Sequence, residues 1–211
     1  MKINLKKKIK YILPKILQQT IKQILSNREI QQWIKNGRPV PPPHKIKQMT
    51  IDKYQKENLI HVFVETGTYL GAMVDAQLNN FQNIYSIELS EELYQRALKR
   101  FKKQPKVKLI QGDSGKVLQT LILQINERAI FWLDGHYSAG ITAKGDVECP
   151  IYEELKAIFK SPLNHILLID DARCFSGQGD YPSIQDLSEY IISQRSTAHI
   201  KVEDDIIRVM Y

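Results

Sequence analysis

The sequence is poor in cysteine and contains no long apolar run. Only two cysteines, Cys149 and Cys174, occur among 211 residues, and their spacing is not that of a metal site. This excludes a disulfide framework and is typical of a reducing compartment, although it leaves room for a single bridge. No stretch of 18 apolar residues is present, which excludes a transmembrane helix.

The first residues also lack an apolar segment of signal-peptide length. The start, MKINLKKKIKYILPKIL, has a basic region, but Pro14 and Lys15 divide its apolar residues. We therefore expect a cytoplasmic protein.

Acidic residues are scarce in the first part of the chain. Residues 1–60 carry 14 Lys and Arg against 3 Asp and Glu, whereas the remainder carries 16 against 20. The overall net charge of +7 therefore belongs to the N-terminal segment, and the main domain is mildly acidic. Because the basic charge is segregated in this way, we do not expect a nucleic-acid partner.

Residues 1–36 have the pattern of a basic amphipathic helix that Pro14 breaks or restarts. The apolar residues that recur at helical spacing among the lysines are Leu5, Ile9, Ile12 and Ile16. Such a helix can pack on its own domain, form a homodimer, or lie at the inner membrane surface. The following residues, NGRPVPPPHK (36–45), predict a stiff, extended connector, because consecutive prolines disfavour a helix.

From residue 60 onward, short apolar runs alternate with helical patterns. The predicted strands are 60–65, 83–89, 106–113, 129–134 and 165–170. The predicted helices are 90–103, 114–125, 150–160 and 183–195. The last residues, HIKVEDDIIRVMY, are typical of a β-hairpin.

This alternation predicts an α/β fold with a doubly wound, mostly parallel sheet, a C-terminal antiparallel β-hairpin and an N-terminal helical extension. We place the extension and connector at residues 1–57 and the main domain at residues 58–211. The predicted strands end in Glu65, Glu88, Gly112-Asp113, Asp134-Gly135-His136 and Asp170-Asp171. Because ligands bind at the carboxyl ends of parallel strands, we expect a ligand site lined with acid.

A glycine-containing segment, ETGTYLG (65–71), follows the first strand. Gly67 and Gly71 permit a tight turn and close approach of the backbone to a ligand. The spacing differs from GxGxxG, and an acid at the start of the loop disfavours a phosphate, so a dinucleotide is not expected. Glu65 instead suits a cofactor with a positive amino or sulfonium group. Glu88 is placed to accept hydrogen bonds from both hydroxyls of a ribose.

The run HILLIDDAR (165–173) ends in two consecutive acids. Adjacent carboxylates repel each other unless a cation lies between them. With Asp134 they make three converging carboxylates, whose hard oxygens suit Mg²⁺ or Ca²⁺. Alternatives remain open, in which Asp170 caps a helix or forms a turn after the strand, and Asp171 pairs with Arg173.

The motifs ETGTYLG, IYSIELS, IQGDS, FWLDGH and LLIDD follow one another at suitable intervals, and residues 60–211 resemble the class I S-adenosylmethionine-dependent methyltransferases. The form of the glycine loop looks most like the metal-dependent O-methyltransferases of the catechol type and those acting on macrolide sugars. The resemblance implies a Rossmann-like methyltransferase fold, S-adenosylmethionine as the cofactor, and Mg²⁺.

The resemblance also implies roles for the residues at the strand ends. The implied cofactor contacts are Glu65, Thr66, Gly67, Tyr69, Gly71, Glu88, Leu89, Gly112, Asp113, Ser114 and Asp134. Among them, Glu65 contacts the methionine part, Glu88 holds the ribose and Leu89 packs on the adenine. Asp113 and Ser114 lie near the adenine amino group, although on their own they are equally typical of a helix N-cap.

In the metal-dependent branch of the family, one acid after the fourth strand and an acid pair after the fifth bind Mg²⁺. These positions correspond to Asp134, Asp170 and Asp171. The metal would bind an acceptor's neighbouring hydroxyls and lower the pKa of one of them. His136 is the candidate general base, with Asp134 as the second catalytic residue; alternatively, His136 orients a metal ligand or faces solvent.

The loops 136–150 and 174–182 lack the aromatic wall expected for a flat catechol. Their polar residues favour a sugar, a glycan or another polar small molecule as the acceptor, which makes carbohydrate modification the leading prediction. A rival of another class is a non-catalytic module that docks on a membrane or a protein through the basic N-terminal helix. A nucleic-acid methyltransferase is disfavoured because no NPPY-like motif follows the fourth strand.

Overall fold

A computed structural model describes residues 15–135 and 149–211. The helices are α1 (Lys15–Lys35), α2 (His44–Asn58), α3 (Ala72–Gln77), α4 (Glu91–Phe101), α5 (Ser114–Leu121), α6 (Ile151–Ile158) and α7 (Ile184–Gln194). The strands are β1 (Val62–Thr66), β2 (Asn83–Glu88), β3 (Val107–Gln111), β4 (Ala129–Leu133), β5 (Ile166–Ile169), β6 (His199–Glu203) and β7 (Ile206–Met210). Short 3₁₀ turns cover Ile122–Gln124 and Ala172–Cys174.

The seven strands form one sheet in the order β3-β2-β1-β4-β5-β7-β6. Strands β1 to β5 pair in parallel, whereas β7 pairs antiparallel with both β5 and β6. The predicted mostly parallel sheet with a C-terminal antiparallel pair is confirmed. The strand order reverses between β1 and β4, so their carboxyl ends open a crevice at the topological switch point, where ligands bind in such sheets.

The central strands are buried on both faces, which explains their uninterrupted apolar sequences. In β4, for example, the neighbouring side chains of Phe131 and Trp132 point to opposite faces, and both are buried. Phe131 belongs to the core cluster that includes Leu155 of α6. Trp132 belongs to the cluster on the other face, which includes Ile51 of α2.

The helix ends follow local capping chemistry. The Ser90 hydroxyl accepts a hydrogen bond from the Leu93 backbone N–H, and α4 carries acids in its first turn and basic residues in its last. The helix predicted over 114–125 is shorter as an α-helix, because the chain tightens into a 3₁₀ turn after Leu121.

Helix α2 is a feature that the sequence patterns did not predict. The connector was predicted to run to Lys45, but in the structure it ends at Pro43, and α2 begins at His44. The buried side chains recur at helical spacing and are Ile46, Thr50, Ile51 and Tyr54. Most other residues of the helix are polar, and they obscured this weak periodicity. The division between residues 57 and 58 falls one residue before the end of α2 and stays a prediction.

The predicted amphipathic stretch lies partly outside the described residues. Leu5, Ile9, Ile12 and Pro14 fall there, and α1 covers the rest of the stretch. Within the two described ranges, no helix combines the length and the apolar character that crossing a membrane requires.

His165, immediately before β5, is a buried imidazole that we expect to make stability depend on pH. Its Nδ1 accepts the Ala129 N–H at 3.1 Å, and its Nε2 lies 2.9 Å from the Ser161 hydroxyl. Burial, with the charges of Arg128 and Arg195, lowers its pKa from 6.5 to about 4. The unfolded chain therefore binds this proton at a higher pH than the folded chain. As the pH falls from 6.5 to 4, the free energy of unfolding decreases by up to about 3 kcal/mol.

Chemical denaturation at pH 7 and pH 4.5 measures this loss. We expect His165→Gln, which keeps a side-chain acceptor, to show a smaller loss than the wild type. His199→Gln, which removes an exposed histidine on β6, should retain the full loss. An equal loss in all three proteins would contradict the prediction.

Candidate active site

The end of β1 lies close against the end of β4. The Asp134 N–H donates to the Thr66 carbonyl and to the Thr66 hydroxyl, both at 3.2 Å. Gly67 has φ +82°, and a Cβ at this position would lie 2.4 Å from the Asp134 carbonyl oxygen. Only glycine fits there, because any side chain would strike backbone. The turn thus brings the predicted cofactor loop next to the first predicted metal ligand.

The glycine loop is tied to the next strand by backbone hydrogen bonds. The Gly67 N–H donates to the Ile87 carbonyl at 2.9 Å, and the Tyr69 N–H donates to Glu88 Oε2 at 2.7 Å. Gly71, with φ +72°, precedes α3, and a Cβ there would strike the Phe101 ring. The glycines therefore allow the tight strand-to-helix turn that the sequence predicted.

Glu65 is a buried acid at the end of β1. Its Oε2 accepts a hydrogen bond of 2.6 Å from the Ser86 hydroxyl, which also lies 2.6 Å from the Thr68 hydroxyl. Burial raises the pKa of Glu65 well above its ordinary value, and the nearby charges of Asp134 and Glu88 act in the same direction. A positively charged ligand group at this position would offset both effects.

Glu88 lies at the end of β2 with its two oxygens facing separate backbone donors. Its Oε2 accepts the Tyr69 N–H and its Oε1 accepts the Ser90 N–H at 2.9 Å. Burial raises the pKa of Glu88, and these hydrogen bonds oppose the change. Each carboxylate oxygen has more than one acceptor position, so the geometry is compatible with two further hydroxyl donors. The adjacent Leu89 is partly exposed.

The end of β3 carries the next predicted group. The Gly112 N–H donates to the Glu88 carbonyl at 2.9 Å, which places the β3 turn beside Glu88. Asp113 caps α5 by accepting the Lys116 N–H at 3.2 Å, so the helix-cap interpretation of this residue is confirmed. A capping role leaves the second oxygen of the carboxylate available to a ligand.

Glu154 on α6 is a residue at this edge that sequence reasoning missed. It is buried, and its Oε1 accepts a hydrogen bond of 2.5 Å from the Ser114 hydroxyl. A Cβ at Gly135 would lie 3.0 Å from the same oxygen, so Glu154 also borders the turn after β4. An acid within a helix resembles a solvent-facing residue, and nothing in the sequence distinguished it.

Asp134, Asp170 and Asp171 converge after β4 and β5. One carboxylate oxygen of each lies within 4.8 Å of those of the other two. The Asp170 N–H donates to the Leu133 carbonyl at 3.0 Å, and Asp170 Oδ1 accepts the Asp171 N–H at 2.8 Å. Asp170 therefore also forms the turn that the alternative interpretation predicted. Asp171 has φ +53°, a left-handed conformation that Asp and Asn tolerate.

Two cationic side chains contact this acid pair. Lys47 Nζ lies 2.5 Å from Asp170 Oδ2 and 3.0 Å from Asp171 Oδ1. Arg173 lies 2.8 Å from Asp171 Oδ1, which confirms the predicted alternative pairing, and it also binds the buried Asp205. Lys47 was not predicted, because it belongs to α2 and precedes Asp170 by 123 positions.

The electrostatics of the pair are dominated by burial. Burial and the charge of Asp134 raise the pKa of Asp170 to about 8, while Lys47 opposes them. Burial lowers the pKa of Lys47, but Asp170 and Asp171 outweigh it and raise that pKa overall. The raised pKa of Asp170 favours its protonated carboxyl, whereas the raised pKa of Lys47 favours its charged ammonium. Contact of the ammonium with two carboxylates supports the charged pair, because it counters the repulsion between them.

The geometry of the site can be stated for only some of the predicted site residues. His136, the candidate general base, and residues 137–148 of the following loop lie outside the described residues. Cys149 and Cys174 are both free thiols.

No protein-family model and no curated protein sequence matches the chain. Similar crystal structures include the SAH-bound methyltransferase PaMTH1 of Podospora anserina, with a TM-score of 0.59 and 16% identity. That match covers 95% of this chain and 98% of the other.

Two further crystal structures have comparable similarity. The O-methyltransferase TomG from Streptomyces achromogenes, in complex with SAM, has a TM-score of 0.58 and 14% identity, over 87% of both chains. The O-methyltransferase from Bacillus cereus, in complex with SAH, has a TM-score of 0.57 and 15% identity, over 96% of this chain and 94% of the other. At such identities the similarity establishes the fold. The chain therefore has the α/β fold of these methyltransferases, as its sequence motifs predicted.

Proposed function

We propose that this protein is an S-adenosylmethionine-dependent O-methyltransferase that is assisted by Mg²⁺ and methylates a hydroxyl of a sugar, a glycan or another polar small molecule. The observation that carries the proposal is the convergence of five acids on the switch-point edge of this fold. They are Glu65, Glu88, Asp134, Asp170 and Asp171.

Two of these acids suit the amino group and the ribose of the cofactor. A positive amino group beside Glu65 would stabilise a carboxylate that burial now disfavours. Glu88, held by two backbone N–H groups, is positioned to accept the ribose hydroxyls. When bound, the cofactor supplies an electrophilic methyl group on its sulfonium sulfur. The remaining proposed contacts are Thr66, Gly67, Tyr69, Gly71, Leu89, Gly112, Asp113, Ser114 and Asp134.

The other three acids suit a magnesium ion. Asp134, Asp170 and Asp171 offer three carboxylate oxygens within 4.8 Å of one another, the hard donor set that Mg²⁺ prefers. When bound, the ion acts as a Lewis acid that lowers the pKa of an acceptor hydroxyl. Arg173 and Asp205 hold the Asp171 side of the site in place through their ion pairs.

His136 and Asp134 are the proposed catalytic residues at the acceptor. Either would accept the hydroxyl proton, and the rest of the chain's contribution is alignment of the acceptor with the methyl group. The polar acceptor is supported by the composition of the loops beside the site, where Asp180 and Tyr181 follow the turn after β5.

Calorimetric titration of S-adenosylmethionine into the full chain, with and without Mg²⁺, tests this function. We expect saturable binding, weakened about tenfold or more by Glu88→Gln, because a hydrogen bond to a charged group contributes about 1.5–3 kcal/mol. Glu92→Gln, an exposed change on α4, is the matched control and should bind as the wild type does. Absence of saturable binding to the wild type would overturn the proposal. Positive binding justifies methylation assays against polyhydroxylated acceptors.

A second candidate function is a non-catalytic module that docks through the N-terminal helices. Helix α1 favours it, because several large apolar side chains are exposed there, at 38–57% of their surface: Leu17, Ile21, Ile24, Leu25 and Ile34. Co-sedimentation with anionic vesicles that is lost in Ile24→Asp/Leu25→Asp, together with absent methyl transfer, would favour docking on a membrane. Dimerisation lost in the same variant would favour contact between two copies.

A further inference from the structure

Lys47, on α2 of the N-terminal extension, contacts the acid pair after β5. Its ammonium bridges Asp170 Oδ2 and Asp171 Oδ1 at 2.5 and 3.0 Å. Only 14% of the Lys47 side chain is exposed, and only 2% of that of Asp170. The contact is thus a largely buried ion pair between α2 and the turn after β5.

The bridge involves two of the three carboxylates that would bind a divalent ion. Mg²⁺ lies about 2.1 Å from each oxygen ligand, so an ion on Asp170 Oδ2 must lie within about 4.6 Å of Nζ as now placed. Sharing the second oxygen brings the two cations closer still. In a largely buried site their repulsion is poorly screened, so each cation disfavours the other on these oxygens.

We propose that Lys47 is a built-in competitor of the metal: its ammonium and a divalent cation are alternative partners of Asp170 and Asp171. This inference rests on the Mg²⁺ assistance in the proposed function and deepens it. It makes α2 part of the site, because an ion can bind the acid pair only after Lys47 withdraws.

The charges at the acid pair explain why Lys47 binds it when no metal is present and why a divalent ion can replace Lys47. Without metal, Lys47 neutralises part of the repulsion between the adjacent aspartates, and the turn is stable. Asp134 brings a third carboxylate oxygen within 4.8 Å of those of the pair. A divalent cation attracts such a group of carboxylates more strongly than a single ammonium does. The lysine stem is flexible enough to move while the buried face of α2 stays packed.

Calorimetric titration of Mg²⁺ at constant ionic strength tests the competition, with S-adenosylmethionine binding measured in the same samples. We expect Lys47→Met to bind Mg²⁺ about tenfold or more tightly than the wild type. Lys47→Arg, which keeps a cation on the pair, should bind no more tightly than the wild type. Lys56→Met, an exposed change on the same helix, should match the wild type.

Unchanged or weaker Mg²⁺ binding in Lys47→Met would overturn the competition. Absence of Mg²⁺ binding in every protein would overturn both the competition and the metal assistance. Retained S-adenosylmethionine binding in those samples would show that the methyltransferase proposal itself survives.

A measurement on the wild type covers the case in which Lys47→Met fails to fold. Acylation of lysine amines, quantified by peptide mass spectrometry, reports whether Lys47 is free of its carboxylate partners. We expect Mg²⁺ to raise the labelling of Lys47 several-fold relative to Lys56, while potassium at matched ionic strength does not. Equal labelling with and without Mg²⁺ would overturn the proposal.

Discussion

Replacing Glu65 with glutamine is expected to stabilise the fold above neutral pH and to weaken binding of S-adenosylmethionine. Burial raises the pKa of Glu65 well above its ordinary value, so the folded protein keeps this proton at a pH where the unfolded chain has lost it. Stability from the protonated form is therefore lost as the pH rises from the ordinary value through the raised pKa. Glutamine does not titrate, and its amide oxygen still accepts from Ser86.

The gain in stability should therefore grow with pH. Thermal unfolding at pH 5 and pH 8.5 checks the sign, since we expect a larger increase in Tm at the higher pH. Glu57→Gln, an exposed change near the end of α2, is the matched control. A Tm for Glu65→Gln that falls more at pH 8.5 than at pH 5 would show that the charged form is the stabilising one.

Cofactor affinity should change in the opposite direction. If Glu65 faces the amino group of the cofactor, glutamine removes a charge-assisted hydrogen bond of about 1.5–3 kcal/mol and weakens binding by about tenfold or more. Titration calorimetry of both variants measures this. Wild-type affinity in Glu65→Gln would show that the amino group binds elsewhere. Gain of stability with loss of binding is the pattern expected of a group held in an unfavourable state for function.

Replacing the acid pair with amides, as Asp170→Asn/Asp171→Asn, is expected to abolish Mg²⁺ binding and to lower methyl transfer by about 10³-fold. Removing a Lewis acid from the acceptor costs several kcal/mol of transition-state stabilisation, and each 1.36 kcal/mol is a factor of ten. Asparagine tolerates the left-handed φ of +53° at position 171, so the turn after β5 can persist.

Binding of S-adenosylmethionine should change by less than about threefold in this variant, because the proposed cofactor contacts lie at or just after the ends of β1, β2, β3 and β4, and not after β5. Asp75→Asn removes an exposed carboxylate on α3 and is the matched control for charge. Calorimetry with both ligands and a methyl-transfer assay separate the outcomes. Methyl transfer at the wild-type rate would show that proton removal does not need the acid pair, and it would place that role on His136 or Asp134.

Local pattern predicted much of this fold because buried parallel strands have a distinctive sequence. A strand covered on both faces is uniformly apolar, so a polar residue at its end stands out, as Glu65 does after VFV and Asp170 does after ILLI. Parallel pairing then places all such ends at one edge. The convergence of Asp134 with Asp170 and Asp171 therefore followed from the order of elements along the chain.

What the sequence by itself determined is thus the parallel sheet, its acid edge and the glycine turn after β1. Only the tertiary structure decided which side chains meet that edge from elsewhere. Glu154 and Lys47 lie on helices in which a charged residue resembles a solvent-facing one, so no local signal marks them. The contact between Lys47 and Asp170 spans 123 positions and depends on how the buried face of α2 packs on the sheet. Packing of that kind is a property of the assembled core, and it determines which cation the aspartates contact.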